Sequence, residues 1–261
     1  MFYNANSNAD LIKKSGIKDF KKYPPISGLF NVKSNLINFN MLTINSDDSS
    51  IVDRYWNDSL VDKPLDIWTQ WCITEGTYID VGAHTGLFTL AGLASNQKNF
   101  LISFEPFPLN FYRMITNIRL NQFLPERFAL FNRPVSDQNK NIKFEVSSPW
   151  SYLSKGGKIS SKGIDMTTLK LDDIKFNNDH LDIKGIKIDT EGEDFMVLLG
   201  AKNIIEKYHP KIIIEARPTN IKDIVNLVKN YDYKKIYDAN YLDFKDEKFY
   251  QSQKSKDIYI E

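Results

Sequence analysis

Residues 78–89 read YIDVGAHTGLFT. A short apolar run ends in Asp80, a Gly-x-x-x-Gly turn follows at Gly82 and Gly86, and an amphipathic segment comes next. This is how a parallel strand feeds through a tight turn into a helix at the edge of a ligand cleft. Neither glycine carries a Cβ, so the backbone can bend sharply and lie close to a ligand. The helix that follows offers unpaired N–H groups and the positive end of its dipole to a carboxylate or phosphate. Glycine spacing of this kind also serves chain geometry alone, so the neighbouring strands must decide its meaning.

FLISFEP, at 100–106, is a second apolar run that ends in an acid, Glu105, 19 residues after Gly86. In nucleoside-binding α/β folds an acid at the tip of the second strand accepts hydrogen bonds from ribose hydroxyls. Asp80 and Glu105 around one turn therefore imply a ligand that contains a ribose. The turn itself narrows the choice. A dinucleotide turn reads Gly-x-Gly-x-x-Gly, which closes backbone amides over a pyrophosphate. Here Asp80 stands before the loop and the second closely spaced glycine is missing. A carboxylate there repels a pyrophosphate but suits the ammonium and sulfonium of S-adenosylmethionine.

Further motifs continue the pattern. YIDVGAHTG, ISFEPFP, VSD at 135–137, IKIDTEGED at 186–194 followed by LLGA, and KIIIE at 211–215 together resemble the FkbM-like family. Its members are S-adenosylmethionine-dependent methyltransferases, usually O-methyltransferases acting on sugars or natural products. The resemblance runs in order from about residue 50 to 217, and the DTEG block makes it specific. It implies an α/β fold with a Rossmann-like, doubly wound, mostly parallel seven-stranded methyltransferase sheet. An N-terminal appendage would occupy residues 1–60 and the cofactor-binding domain residues 61–261. It also implies that Asp80, Gly82, His84, Thr85, Gly86, Glu105, Phe107, Asn132, Ser136 and Asp189 bind the cofactor. His84 departs from the family, which commonly has Asn there.

From Thr77 onward the pattern predicts strands at 77–81, 100–105, 127–132, 142–146, 164–168, 185–189, 211–215, 233–238 and 257–260. Helices fit 86–95, 108–121, 193–207 and 220–230. Such alternation implies a parallel sheet with helices on both faces. KKIYD and DIYI read as an antiparallel edge. Upstream, Pro24 and Pro25 interrupt regular structure, and LINFNMLTI at 36–44 alternates like a strand or hairpin arm. SDDSS at 46–50 is placed to cap a helix through Ile51, Tyr55 and Trp56. Trp68 and Trp71, three apart, fit a helix that packs into the core, with stacking on a sugar as the other reading. SKGGKISSKG at 154–163 has the composition of a flexible loop.

Basic and acidic residues number 34 and 33, so no strong field favours nucleic acid or an anionic membrane. The single cysteine, Cys72, excludes an internal disulfide framework and reads as a small buried hydrophobe. MFYNANSNAD lacks the basic and apolar regions of a signal peptide. No apolar run approaches the ~20 residues needed to span a bilayer. The expectation is a cytoplasmic enzyme whose partner is a small-molecule or glycan acceptor. No motif sets its oligomeric state.

The chemistry centres on the strand IKI. Asp189 and Glu191 follow it and so stand at its C-terminal end, where open α/β sheets place their ligands. Strand alternation puts Lys187 on the same face as Asp189. A lysine inside a central strand must be paired, with Asp189 or with a carboxylate on a neighbouring strand. It is either a structural ion pair or the group that holds a carboxylate at the methyl-transfer site. Methyl transfer to an alcohol relies on alignment, and a base within reach helps to remove the proton. Asp189, Glu191, Glu215 and His84 are the candidates. His84 has the most suitable ordinary pKa, ~6.5, but could equally hydrogen-bond the methionine carboxylate. His180 and His209 read as a loop residue and a helix end. Asp189, Glu191 and Glu215 could also gather a divalent cation, a reading that methyl transfer does not require.

The stretch 147–163 combines Trp150 and Tyr152 with lysines and glycines, which suits a lid stacking on a sugar acceptor. Arg217 is a possible anion clamp. Two other functions compete. A nicotinamide-dependent oxidoreductase or epimerase explains Glu105 but not the missing pyrophosphate glycines. A non-catalytic nucleoside-binding module leaves the intact set Asp80, Glu105 and Asp189 without a purpose.

Overall fold

A computed structural model describes residues 2–7, 27–44, 48, 51, 55, 62–146, 157–175, 182–238, 240, 243 and 256–261. Strands β1 (Phe2–Ser7), β2 (Gly28–Lys33) and β3 (Asn38–Thr43) form an antiparallel sheet. Helix α1 (Lys63–Trp71) then leads to β4 (Thr77–Val81), α2 (Leu87–Ser95), β5 (Phe100–Phe104), α3 (Pro108–Leu120) and β6 (Phe128–Phe131). An excursion follows through β7 (Val135–Ser136), β8 (Asn141–Val146), β9 (Gly157–Ser160), β10 (Ile164–Thr167) and β11 (Leu169–Lys170). The chain returns through β12 (Ile183–Ile188), α4 (Asp194–Leu199), α5 (Lys202–Tyr208) and β13 (Lys211–Ala216). It ends with α6 (Ile221–Asn230), β14 (Ile236–Tyr237) and β15 (Lys256–Ile260).

The central sheet has seven strands in the order β14-β15-β13-β12-β4-β5-β6. Strands β6, β5, β4, β12 and β13 run parallel, and β15 is antiparallel to both its neighbours. The sheet is thus mostly parallel but mixed, with the expected antiparallel edge. Because β4 and β12 are neighbours while their next strands lie on opposite sides, the order switches between them. That crevice is where such sheets bind ligands.

Every residue of β4 is buried, which happens only when both sheet faces are covered. Tyr78 packs on one side with Trp68, Leu90 and Met114 from α1, α2 and α3. Ile79 and Val81 pack on the other with Val197, Ile205 and Ile224 from α4, α5 and α6. Trp68 and Trp71 are core residues. The Trp68 indole N–H donates to the Phe88 carbonyl at 2.9 Å, and that of Trp71 to Glu261 Oε1 at 3.0 Å. Cys72 is buried too, and burial pushes its thiol up, away from nucleophile chemistry.

The N-terminal sheet shares the first of these cores through Phe30, Val32, Phe39 and Met41. Two asparagines on and beside α3 complete its edge. The Asn40 N–H donates to Asn121 Oδ1 at 2.7 Å and the Leu42 N–H to Asn117 Oδ1 at 2.8 Å. Asn121 returns a bond to the Asn40 carbonyl at 2.7 Å. Amide side chains here stand in for a missing strand and close an edge that would otherwise be open to pairing.

Two expectations need correction. The helix expected at 193–207 is two helices, α4 and α5, broken at Gly200. A Cβ on Gly200 would sit 2.3 Å from the Ser136 carbonyl of β7, so the chain bends where the two segments touch. The strands expected at 142–146 and 164–168 do not join the main sheet. They are β8 and β10 of a separate antiparallel sheet, order β10-β8-β9. Its third strand, β9, comes from the stretch whose composition suggested a loop. The glycines there serve close packing: a Cβ on Gly163, at φ +120°, would lie 2.1 Å from the Phe144 carbonyl. Trp56, Trp150, Tyr152 and His180 lie outside the described residues.

Candidate active site

The turn after β4 is built by packing constraints from three strands. Gly82 adopts φ +79°, and a Cβ there would meet the Asp189 carbonyl at 1.7 Å, so no other residue fits. Gly82 and Ala83 both donate their N–H groups to the Phe104 carbonyl at 2.9 Å, which ties the turn to the end of β5. Gly86, at φ +98°, opens α2.

Glu105 stands just past β5 and is 5% exposed. Its Oε2 accepts the His84 N–H and its Oε1 the Phe107 N–H, each at 2.8 Å. One carboxylate thereby joins the glycine turn to the start of α3. Burial pushes its pKa up, and His84 and the two backbone N–H groups oppose that. Asn132 donates to the Glu105 and Pro106 carbonyls at 2.8 and 2.9 Å and so holds this connection in place.

Asp80 is completely buried beneath the turn. Its Oδ2 accepts the Thr89 hydroxyl at 2.8 Å, while Oδ1 makes no hydrogen bond and lies 3.7 Å from Lys187 Nζ. Lys187 also donates to the Gly82 carbonyl at 3.1 Å, sits 3.5 Å from Asp189 Oδ2 and lies 4.9 Å above the Phe88 ring. The pairing demanded of a strand lysine is thus met twice, along its own strand and across to β4. Burial acts against the lysine charge, but Asp189, Asp80 and Asp257 outweigh it and raise the pKa. Lys187 stays protonated.

The DTEG segment forms a loop at the end of β12, with Glu191 at φ +57° and Gly192 at φ +130°. Asp194 holds it from below. Its Oδ1 accepts the Thr190 N–H at 2.8 Å and hydroxyl at 3.0 Å, and its Oδ2 accepts the Gly192 N–H at 3.1 Å. Glu191 and Glu215 converge on Arg217 at 3.5 and 3.0 Å. Ser136 donates to Glu193 Oε2 at 3.0 Å.

Burial, with Asp189 and Glu215 adding to it against the Thr190 bonds, lifts Asp194 to about 6. Between about pH 4 and 6 the folded protein therefore holds a proton that the unfolded chain has released. Stability falls as pH rises through that window, by at most ~3 kcal/mol. Asp257, beside Glu215 on β15, is lifted to about 7 and extends the trend towards neutrality. Asp194→Asn is expected to flatten the melting temperature profile between pH 4 and 6. An unchanged profile would remove Asp194 as its source.

These elements enclose a cleft of about 240 Å³ at the carboxyl ends of β4, β5 and β12. Gly82, His84, Thr85, Glu105, Lys187, Asp189 and Glu191 line it, as do Asp48, Arg133, Phe144, Ile159 and Glu193. Of the other expected site residues, Asp80 lies under the turn, Gly86 ends the turn at the start of α2 away from the cleft wall, and Phe107, Asn132 and Ser136 are off that wall too. Glu215 and Arg217 are off the wall as well, paired with each other. Among the described residues no three His, Cys, Asp or Glu side chains gather as a metal site. Lys187 and Arg217 occupy the acids that such a site would use, so the metal reading has no support. Asp48, Arg133, Glu193 and Asp194 were not among the sequence candidates. Asp48 belongs to the SDDSS cap, and Asp194 closes the DTEG motif, so both had a signal. Nothing local marks Arg133, Phe144 or Ile159.

An α/β sheet with a switch-point cleft, a strand-end acid and a glycine turn defines a methyltransferase-like fold. The chain belongs to the FkbM methyltransferase family: the family's Methyltransferase FkbM domain matches residues 80–235, more than half of the chain. No curated protein matches it in sequence. Among solved structures, the methyltransferase FkbM of Methylobacillus flagellatus KT is similar with TM-score 0.51 and 17% identity, over 83% of this chain and 56% of that one. The chain thus spans little more than half the length of that relative. Precorrin-6y C5,15-methyltransferase of Geobacter metallireducens GS-15 gives TM-score 0.41 and 12% identity, over 78% and 89% of the two chains. TYW2 of M. jannaschii, in complex with AdoMet, gives 0.42 and 9%, over 89% and 84%. Family membership displaces the oxidoreductase alternative. No helix among the described residues is long and apolar enough to cross a membrane.

Proposed function

We propose that the protein is an S-adenosylmethionine-dependent O-methyltransferase acting on a hydroxyl of a sugar, glycan or related natural product. The observation that carries this reading is one cleft with Glu105 on one wall and the Asp189–Lys187 pair on another. The residues fit the cofactor. Each Glu105 oxygen accepts one backbone N–H and keeps a lone pair for a ribose hydroxyl. Asp48, Glu105, Asp189, Glu191 and Glu193 line the cleft against Arg133 and Lys187, a balance that suits a cationic ligand.

S-Adenosylmethionine, when bound, supplies an electrophilic methyl group on its sulfonium. The chain's own task is to orient the acceptor hydroxyl and take up its proton. Asp189 is the group for this, with a side chain 44% exposed to the cleft. Lys187 stands 3.5 Å from its Oδ2 and, through the Gly82 carbonyl, ties it to the cofactor turn. Base and turn are thereby held in one geometry, which is what proximity catalysis needs. Calorimetry should show S-adenosylhomocysteine binding and no comparable binding of NAD or NADP. Tight NAD binding with none of the adenosyl compound would sink the assignment.

The acceptor side rests on β8 and β9, whose Phe144, Gly157 and Ile159 line the cleft. Trp150 and Tyr152 lie between these strands in sequence, which supports a role in covering a sugar-like acceptor. Trp150→Ala is expected to raise the acceptor KM while leaving cofactor affinity and melting temperature nearly unchanged. A core role would instead cost ~3–5 kcal/mol of stability.

A further inference from the structure

Asp48 enters the cleft from the segment between β3 and α1, ahead of the family-matched region. It is 1% exposed. Its Oδ1 accepts the Ile51 N–H at 3.0 Å, so it caps the turn that begins there, and its own N–H donates to the Thr43 hydroxyl at 3.2 Å. Its Oδ2 accepts the Thr85 hydroxyl in the glycine turn. Among the described residues no lysine, arginine or histidine pairs with it, whereas buried Asp80 has Lys187.

A carboxylate taken out of water and given only neutral donors and helix-end dipoles is poorly compensated. The two donors also leave half of its acceptor sites unused. A buried acid of this kind on a cleft wall is matched by a cation that arrives with the ligand. Its position says which end of the ligand. Glu105 holds the N–H of His84 and Asp48 holds the hydroxyl of Thr85, adjacent residues, so the two carboxylates bracket the turn.

We propose that Asp48 is a specificity residue that binds the α-ammonium group at the amino-acid end of the cofactor. The proposal rests on the S-adenosylmethionine reading above, in which Glu105 takes the ribose. The ammonium then meets Asp48, and the N-terminal segment becomes part of the cofactor site.

Calorimetry on the full chain tests this with two ligands, S-adenosylhomocysteine and its analogue lacking the amino group. Wild type should bind the former at least about tenfold more tightly, the scale of one charge-assisted contact. Asp48→Asn removes the charge but keeps a side chain that caps as well as Asp. It should lose about tenfold in affinity for S-adenosylhomocysteine, bind the analogue as wild type does, and melt within a few degrees of it. Asp48→Ser, another cap former, is the second variant if Asn does not fold. Equal weakening of both ligands would mean a purely structural residue and overturn the proposal. So would a wild-type protein that binds both ligands equally, with the cofactor reading left intact. Binding of neither ligand to wild type would bring down the cofactor reading and this proposal together.

Discussion

Asp189→Asn is expected to lower kcat at saturating cofactor by at least about a hundredfold, the usual scale for losing a general base. Asp189 follows β12 at the ligand side of the sheet and is half-exposed, so its side chain answers to the cleft and not to the core. Asparagine keeps the shape and cannot take a proton. Lys187 retains Asp80 at 3.7 Å and the Gly82 carbonyl at 3.1 Å, so the buried pair beneath the site survives the change. The melting temperature should therefore move little, which separates a chemical role from a structural one. Near-normal turnover would move the role to His84 or Glu191, which share the cleft wall, and not to Glu215, which lies off it. A chelator should leave wild-type turnover unchanged, since no acid cluster among the described residues is available to a cation.

Glu105→Ala should weaken S-adenosylhomocysteine binding by at least about a hundredfold in calorimetry. Hydrogen bonds to a charged acceptor contribute ~1.5–3 kcal/mol each, and two ribose hydroxyls would lose theirs together. The same substitution leaves the N–H groups of His84 and Phe107 without their acceptor, so the turn loosens where the ligand must lie. Glu105→Gln, which keeps the volume and one carbonyl oxygen, should fall between the two. Wild-type affinity in Glu105→Ala would show that the ribose is held elsewhere and would remove the main support for the cofactor.

Much of this molecule could be read along the chain. Parallel strands buried on both faces are continuous apolar runs, so TYIDV, FLISF and KIIIE announce themselves, and the acids that end them announce the cleft. The need for Lys187 to be paired followed from the cost of a buried charge alone. Local composition could not show what distant segments do to one another. Glycines 157 and 163 looked like a loop because their purpose, close approach to Phe144, lies in another strand. The helix broken at Gly200 looked continuous because the obstacle is the Ser136 carbonyl. Asp48 could be seen as a cap, but its place on the cleft wall depends on how the N-terminal sheet docks against α3. Arg133, Phe144 and Ile159 reach the site only through the excursion after β6. Strand period and strand-end chemistry are encoded within a few residues, so the sequence alone marked the parallel core strands and the acids at their ends. Tertiary packing decided which remote side chains close the cleft, because contacts across tens of residues leave no local pattern.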